Sequence, residues 1–323
     1  MVIMMVVVGG LTRLTDSGLS MVDWQPIHGT LPPLSLAEWQ EEFENYRTSP
    51  QYQKINAGMS LQEFKGIFWL EYLHRLLGRV VGLVFFIPFI YFIARKIIRP
   101  AYALKLGGIF LLGGAQGLMG WYMVKSGLVN EPMVSPLRLA AHLTLACLLF
   151  SLLYWQWLRL KIQRISRYYS PLIFGFILLI FAQIILGAFV AGLDAGLAYD
   201  SFPTMNGQWV PNGLWLQEPW WQNLYRNPTT AQWIHRLGAL CLLIYTAILA
   251  LHLNQKPFLS HFATRAFQTF IVLLVLQITL GAMTVIYHVP ILLAALHQLV
   301  GLFLLAAAVS LLYGVDSATK RAQ

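Results

Sequence analysis

Long apolar stretches separated by short polar connections dominate this chain. Seven of them are long enough to cross about 30 Å of hydrocarbon, near 67–93, 103–124, 137–158, 171–193, 230–253, 266–287 and 291–313. An eighth, from Met1 to about Thr15, is apolar but short for a full span. Either it is tilted and incomplete, or the natural start lies upstream. The pattern predicts an all-α integral membrane protein with eight transmembrane helices.

The polar connections alternate in charge. Arg95, Lys96, Arg99 and Lys105 follow the second span, and Arg159, Lys161, Arg164 and Arg167 follow the fourth. Lys256 and Arg265 follow the sixth, and Lys320 and Arg321 the last. Acids gather in the other loops: Asp16, Asp23, Glu38, Glu41, Glu42, Glu44 and Glu63 in one, Asp194, Asp200 and Glu218 in another. The positive-inside rule then puts both termini in the cytoplasm and the loops near 16–66 and 194–229 outside. Composition agrees: 58% of residues are hydrophobic and 11% charged, against about 25% charged in soluble domains. The net charge of +9 is therefore a topology signal and does not mark a nucleic-acid surface. Cys147 and Cys241 lie in apolar runs with no CxxC spacing, which supports neither a disulfide framework nor a zinc site. No cleavable signal peptide is read in "MVIMMVVVGGL", which lacks a charged n-region and runs straight into "TRLTDSGL".

The chain repeats itself. A shift of 161 residues lays "EYLHRL" at 71–76 on "QWIHRL" at 232–237 and "QGLMG" at 116–120 on "QITLG" at 277–281. A shift of 178 lays "GGLTRLTDSGL" at 9–19 on "GAFVAGLDAGL" at 187–197. "LAAHL" at 139–143 resembles "LAALHQ" at 293–298. Two tandem four-helix bundles of the same topology follow, one over 1–165 and one over 166–323.

Four histidines, His74, His142, His235 and His297, fall on spans two, four, six and eight. Each lies about five to eight residues in from the outside, roughly 8–12 Å at 1.5 Å per residue. A single membrane histidine reads as a helix-to-helix hydrogen bond. Four at one level, two per half, read better as paired axial ligands of haem iron, one site in each bundle. Zinc would want four protein ligands, and neither half offers carboxylates or thiols to complete them. Arg75 and Arg236 each follow a histidine, and Arg138 lies one turn outward of His142. Guanidinium groups near the membrane surface can pair with haem propionates; interfacial snorkelling is the alternative, strongest for Arg138.

The stretch "FWLEYLHRLLGRVVGL" at 68–83 carries Glu71, His74, Arg75 and Arg79, each costing roughly 2.5–3.5 kcal/mol at the middle of a membrane helix. Glu71 shares a helical face with His74, and its counterpart in the second half is Gln232, which cannot trade protons. One half thus sets a carboxylate beside its haem site, suited to general acid–base work, and the other sets an amide. A salt bridge from Glu71 to Arg75 is the plainer reading.

These residues resemble the haem A synthase family, in the mitochondrial and proteobacterial branch that lacks an outer-loop cysteine pair. The resemblance rests on "GGLTRLTDSGLSMVDWQP" at 9–26, "EYLHRLLGRVVGL" at 71–83 and "QGLMGWYMVKSGL" at 116–128. It continues through "RLAAHL" at 138–143, "GAFVAGLDAGLAYDSFP" at 187–203, "QWIHRLGAL" at 232–240 and "LAALHQ" at 293–298. It implies an oxidoreductase that converts the C8 methyl of haem O to a formyl group, giving haem A for terminal oxidases. It also implies a haem B cofactor on His235 and His297, with Arg236 beside them. Substrate haem O falls to His74 and His142, with Arg75 and Arg138, and Glu71 matches the family's essential acid. The mechanism it implies is two successive oxidations, collapse of a hydrate to the aldehyde, and electron disposal through the haem B. A haem O synthase and an electron-transfer partner are the expected partners, the bacterial cytoplasmic membrane the expected location, and self-association stays open. The rival readings are a diheme b-type cytochrome that only moves electrons, and a haem transporter.

Overall fold

A computed structural model describes residues 1–23, 28–128, 132–162, 171–254 and 260–315. Residues 24–26 of the first family motif lie outside them, as do Arg164, Arg167, Lys256, Lys320 and Arg321. The secondary structure of the described residues is helical, without a named strand. The chain forms two compact units, Met1–Ala146 and Cys147–Gln323, divided within one long helix.

The first unit holds α1 (Val2–Leu14), α2 (Leu36–Arg47), α3 (Pro50–Lys54), α4 (Leu61–Ala94), α5 (Pro100–Gly127) and the start of α6 (Pro136–Lys161). The second holds the rest of α6 with α7 (Pro171–Gly192), α8 (Asn223–Arg226), α9 (Pro228–Asn254), α10 (His261–Ile286) and α11 (Ile291–Val315). Seven of these helices, α4 to α7 and α9 to α11, are long and apolar enough to cross a membrane. They coincide with the seven long apolar runs, and the protein is a multi-pass membrane protein. α1 has 13 residues, about 20 Å at 1.5 Å per residue, short of a bilayer's hydrocarbon thickness.

The helix starts are written locally. Proline opens α5, α6, α7 and α9, where its missing N–H costs nothing and its fixed φ suits the first turn. α9 is capped by Asn227, whose Oδ1 accepts from the backbone N–H of Thr229 and of Thr230. α4 begins at Leu61, six residues ahead of the expected span. The cause is a capping box in which Ser60 accepts from the Glu63 N–H and Glu63 accepts from the Ser60 N–H.

The early start of α4 gives the α1–α4 connection something to pack on. Trp39, Tyr46, Phe64, Phe68, Tyr72 and Met21 form one buried cluster that fastens α2 and α3 to the first turns of α4. Polar bonds close it: Tyr46 Oη donates to Gln51 Oε1, Gln51 Nε2 donates to the Asp16 carbonyl, and Tyr72 Oη donates to the Thr30 carbonyl. The connection is thereby an ordered cap on α4. Phe64→Ala removes a fully buried ring and should cost about 3–5 kcal/mol. Amide hydrogen exchange should speed up across α2 and α3 while α10 and α11 keep their protection.

Candidate functional site

Each of the four predicted histidines lies with its ring against a glycine of another helix in the same unit. A Cβ added to Gly9 of α1 would sit 2.9 Å from His74 Nε2 on α4, and one added to Gly120 of α5 would sit 3.0 Å from His142 Cε1 on α6. In the second unit, Gly187 of α7 faces His235 Cε1 of α9 at 3.1 Å, and Gly281 of α10 faces His297 Cε1 of α11 at 2.9 Å. The absence of a side chain is what lets the ring and the helix backbone share that space. The His235 and His297 rings stand with centroids 6.5 Å apart and planes at 77°. Among the described residues no ring contact joins His74 to His142.

Two imidazoles per unit would suit a metal only if it came with further ligands of its own. Among the described residues no cluster of three or more His, Cys, Asp or Glu could hold a metal ion. The ring nitrogens of His235 and His297 also meet amides: Gln183 Nε2 lies 3.2 Å from His235 Nδ1, and Gln277 Nε2 lies 3.3 Å from His297 Nε2. His142 Nδ1 is buried without a hydrogen-bond partner, a ring nitrogen free to take one.

Glu71 is 2% exposed and its carboxylate accepts from four donors. Ser20 Oγ and the Met21 N–H reach Oε2 at 2.7 and 2.9 Å. Arg75 holds Oε1 through Nε at 3.0 Å and Nη2 at 2.6 Å. The same guanidinium donates to the Met21 and Asp23 carbonyls. The alternative reading, an i,i+4 salt bridge from Glu71 to Arg75, is therefore formed, and it ties the loop after α1 to α4. Gln232 occupies the matching place in the second unit, also 2% exposed. Its Nε2 donates to the Tyr199 carbonyl, while Arg236 Nη1 donates to the carbonyls of Ser201, Pro203 and Thr204. Met21 and Tyr199 are related by the 178-residue shift, as are Asp23 and Ser201. Asp16 and Asp194, also so related, both take left-handed backbone, at φ 51° and 48°. The repeat thus extends to the way each loop docks on its helix.

A family model described as "Cytochrome oxidase assembly protein", COX15-CtaA, matches residues 1–309. The chain belongs to this family. It is 51% identical over 315 residues to "Heme A synthase" of Nitrosospira multiformis, covering 95% of this chain and 88% of that protein. It is 48% identical over 314 residues to "Heme A synthase" of Agrobacterium fabrum, with coverages of 95% and 85%. For the Nitrosomonas eutropha protein of the same name, identity is 45% over 317 residues, with coverages of 95% and 88%. No solved structure matches the chain.

In this cytochrome oxidase assembly family member, two kinds of residue escaped the sequence reading. Ser20 is one; its hydroxyl matters only because Glu71 is a carboxylate, and the second half has Ala198 at that place. The others are glutamines beside the histidines. Gln116 Nε2 lies 3.4 Å from His142 Nε2, Gln183 Nε2 lies 3.2 Å from His235 Nδ1, and Gln277 Nε2 lies 3.3 Å from His297 Nε2. The signal was in the repeat, where Gln precedes Gly by four residues at 116/120, 183/187 and 277/281. Arg138 donates to the Tyr122 carbonyl at 2.7 Å and lies 3.7 Å over the Tyr122 ring. Arg236 keeps Nη2 buried and without a hydrogen-bond partner. A cavity of about 670 Å³ opens between the loop after α1 and the first turns of α4, lined by Thr15, Ser17, Asn56, Gly66, Ile67 and Leu70. Leu70 is one turn before His74.

The two clamps should differ in strength. Arg75→Leu strips both donors from Oε1 of a buried carboxylate and should cost about 3–5 kcal/mol. Arg236→Leu leaves main-chain carbonyls short of a donor and should cost about 1–3 kcal/mol. Thermal unfolding of the two solubilised variants against the parent measures the difference.

Proposed function

We propose that this chain is a haem A synthase, oxidising the C8 methyl of haem O to a formyl group to give haem A for terminal oxidase assembly. The observation that carries the reading is one site built twice, with a carboxylate in one copy only. Family membership and relatives named for that activity support it. The reading places eight spans in two tandem four-helix bundles, α1 being the first. Substrate haem O belongs to the first half, on His74 and His142, and haem B to the second, on His235 and His297. Arg236, with its unpartnered Nη2, is the propionate partner on the haem B side. Arg75 and Arg138 are the basic groups of the substrate side, one residue from His74 and one turn from His142.

Bound haem B supplies one-electron redox chemistry. The chain's own part is to hold, orient and exchange protons. Arg75 fixes Oε1 of Glu71 from two nitrogens, which leaves Oε2 as the working oxygen. There Ser20 holds the carboxylate by a hydroxyl that can rotate away and admit a proton or a water from the substrate edge. Both termini are cytoplasmic and the docked loops face outward in a bacterial cytoplasmic membrane. A haem O synthase and an electron-transfer partner complete the setting.

Co-expression with a source of haem O, followed by pigment extraction, tests the activity: new haem A is expected, and haem B alone would make the protein a diheme cytochrome. His235→Ala and His297→Ala should each remove haem B from the purified protein; unchanged spectra in both would overturn the ligand assignment. General acid–base assistance is worth about 10²–10⁴-fold in rate. Glu71→Gln should therefore lower haem A formation by that order with haem B retained, whereas Gln232→Glu should leave it near the parent level. A Glu71→Gln variant working at the parent rate would reduce the carboxylate to a loop clamp.

A further inference from the structure

We propose that Ser20 passes protons between Glu71 and water in the cavity beside the loop after α1, so that the cavity is the port through which the working carboxylate is reset. The proposal rests on the reading of Glu71 as the proton acceptor of a haem A synthase, and says where that proton goes.

The repeat carries the first observation. From Gly9 to Ser20 the first half has four hydroxyl side chains, Thr12, Thr15, Ser17 and Ser20. The 178-residue shift lays them on Val190, Leu193, Ala195 and Ala198, and from Gly187 to Ala198 the second half has no hydroxyl at all. The turn itself is common to both, since Asp16 and Asp194 take the same left-handed backbone. The fold of the segment therefore does not require the hydroxyls. They accompany the copy that has Glu71 and are missing from the copy that has Gln232.

The second observation is where these groups stand. Ser20 is fully buried, and its Oγ lies 2.7 Å from Glu71 Oε2 and 3.4 Å from the Ile67 carbonyl. Ile67 is part of the wall of the cavity of about 670 Å³, together with Thr15, Ser17, Asn56 and Glu63. Those four supply the polar partners that ordered water needs, and the space is ample at about 30 Å³ per water. Ser17 Oγ lies 2.7 Å from Thr15 Oγ1 on that wall, whereas Thr12 returns its hydroxyl to the Val8 carbonyl and has no part in the route. Stripping hydrogen from a methyl carbon, with the electrons carried off separately, leaves one proton for each C–H bond broken. Glu71 Oε2 can hold one such proton and has to lose it before it takes the next. Turning the Ser20 hydroxyl from Glu71 toward Ile67 moves no heavy atom. Ser20 Oγ then accepts the carboxyl proton while its own proton passes to water on the Ile67 side, which leaves the serine unchanged and the carboxylate restored. Throughout, Arg75 holds Oε1 and the Met21 N–H holds Oε2.

The test uses membrane fragments holding the full-length protein and supplied with haem O, with haem A formation timed in H2O and in D2O. Ser20→Ala should lower the rate by about 10²-fold, the low end of acid–base assistance, with haem B retained and the H2O-to-D2O rate ratio raised above the parent's. A serine that only holds the carboxylate leaves that ratio at the parent value; this result overturns the proposal, as does a parent rate. Gly66, on the cavity wall, tests the port separately, because an added Cβ there meets nothing within 4 Å. In a Cys241→Ser background the remaining native cysteine, Cys147, is buried, so a polar maleimide should react with the Gly66→Cys variant at that position. The adduct should slow haem A formation relative to the same variant before reaction. No reaction at that position, or the full rate once it has reacted, overturns the port. Glu71→Gln at the parent rate overturns the reading of the carboxylate, and the proposal with it; with Glu71→Gln impaired, the other outcomes bear on the proposal alone.

Discussion

A side chain at Gly9 or Gly281 would overlap the imidazole packed against it, and one at Gly120 or Gly187 would have to push its ring back by a few tenths of an ångström. Gly9, Gly120, Gly187 and Gly281 meet that constraint, and each gives up the better helix propensity of alanine to do so. The close approach sets where the ring stands. It also sets what else can reach the ring, because the residue one turn away on the same helix is brought alongside the histidine. Three glutamines and one methionine occupy that position, so an amide nitrogen lies within 3.4 Å of a ring nitrogen of His142, His235 and His297, and a thioether stands at the matching place before Gly9.

The second organising feature is the docking of a loop on the helix that carries a histidine. In each unit an arginine and a polar residue one turn before it bind the loop's main chain at repeat-related positions. The bonding differs in sign where it matters. Glu71 only accepts, so it recruits the Ser20 hydroxyl, the Met21 N–H and its own neighbour Arg75. Gln232 donates to a carbonyl instead, and Arg236 turns its Nη1 to the loop. The carboxylate of the first half is held in a fully donor-lined pocket, which fixes its position beside His74.

Much of this was legible in the sequence, and the exceptions have physical causes. Apolar length alone located the seven long helices, because a lipid-facing helix has no other way to satisfy its backbone. The start of α4 was misplaced by hydropathy, since Leu61–Ile67 is held by the Ser60–Glu63 box and aromatic packing rather than by apolar continuity. The histidines, Glu71 and the contrast with Gln232 stood out because ionisable groups in apolar runs are costly. The glutamines did not: an uncharged amide carries no such signal, and its meaning depends on which helix face meets which, known only once α5 is seen against α6 and α10 against α11. The arginines were read for a bound anion, and the structure gives each of them a main-chain partner as well.

Glycine contact sets where the four histidine rings stand. Its most direct measurement is the haem content and absorption spectrum of purified Gly187→Ala and Gly281→Ala variants. Gly114→Ala serves as the control, because an added Cβ there meets nothing within 4 Å. Each of the first two is expected to lose retained haem or low-spin character as its histidine is pushed from place, while the control keeps the parent spectrum. Parent haem content and spectrum in all three would contradict it.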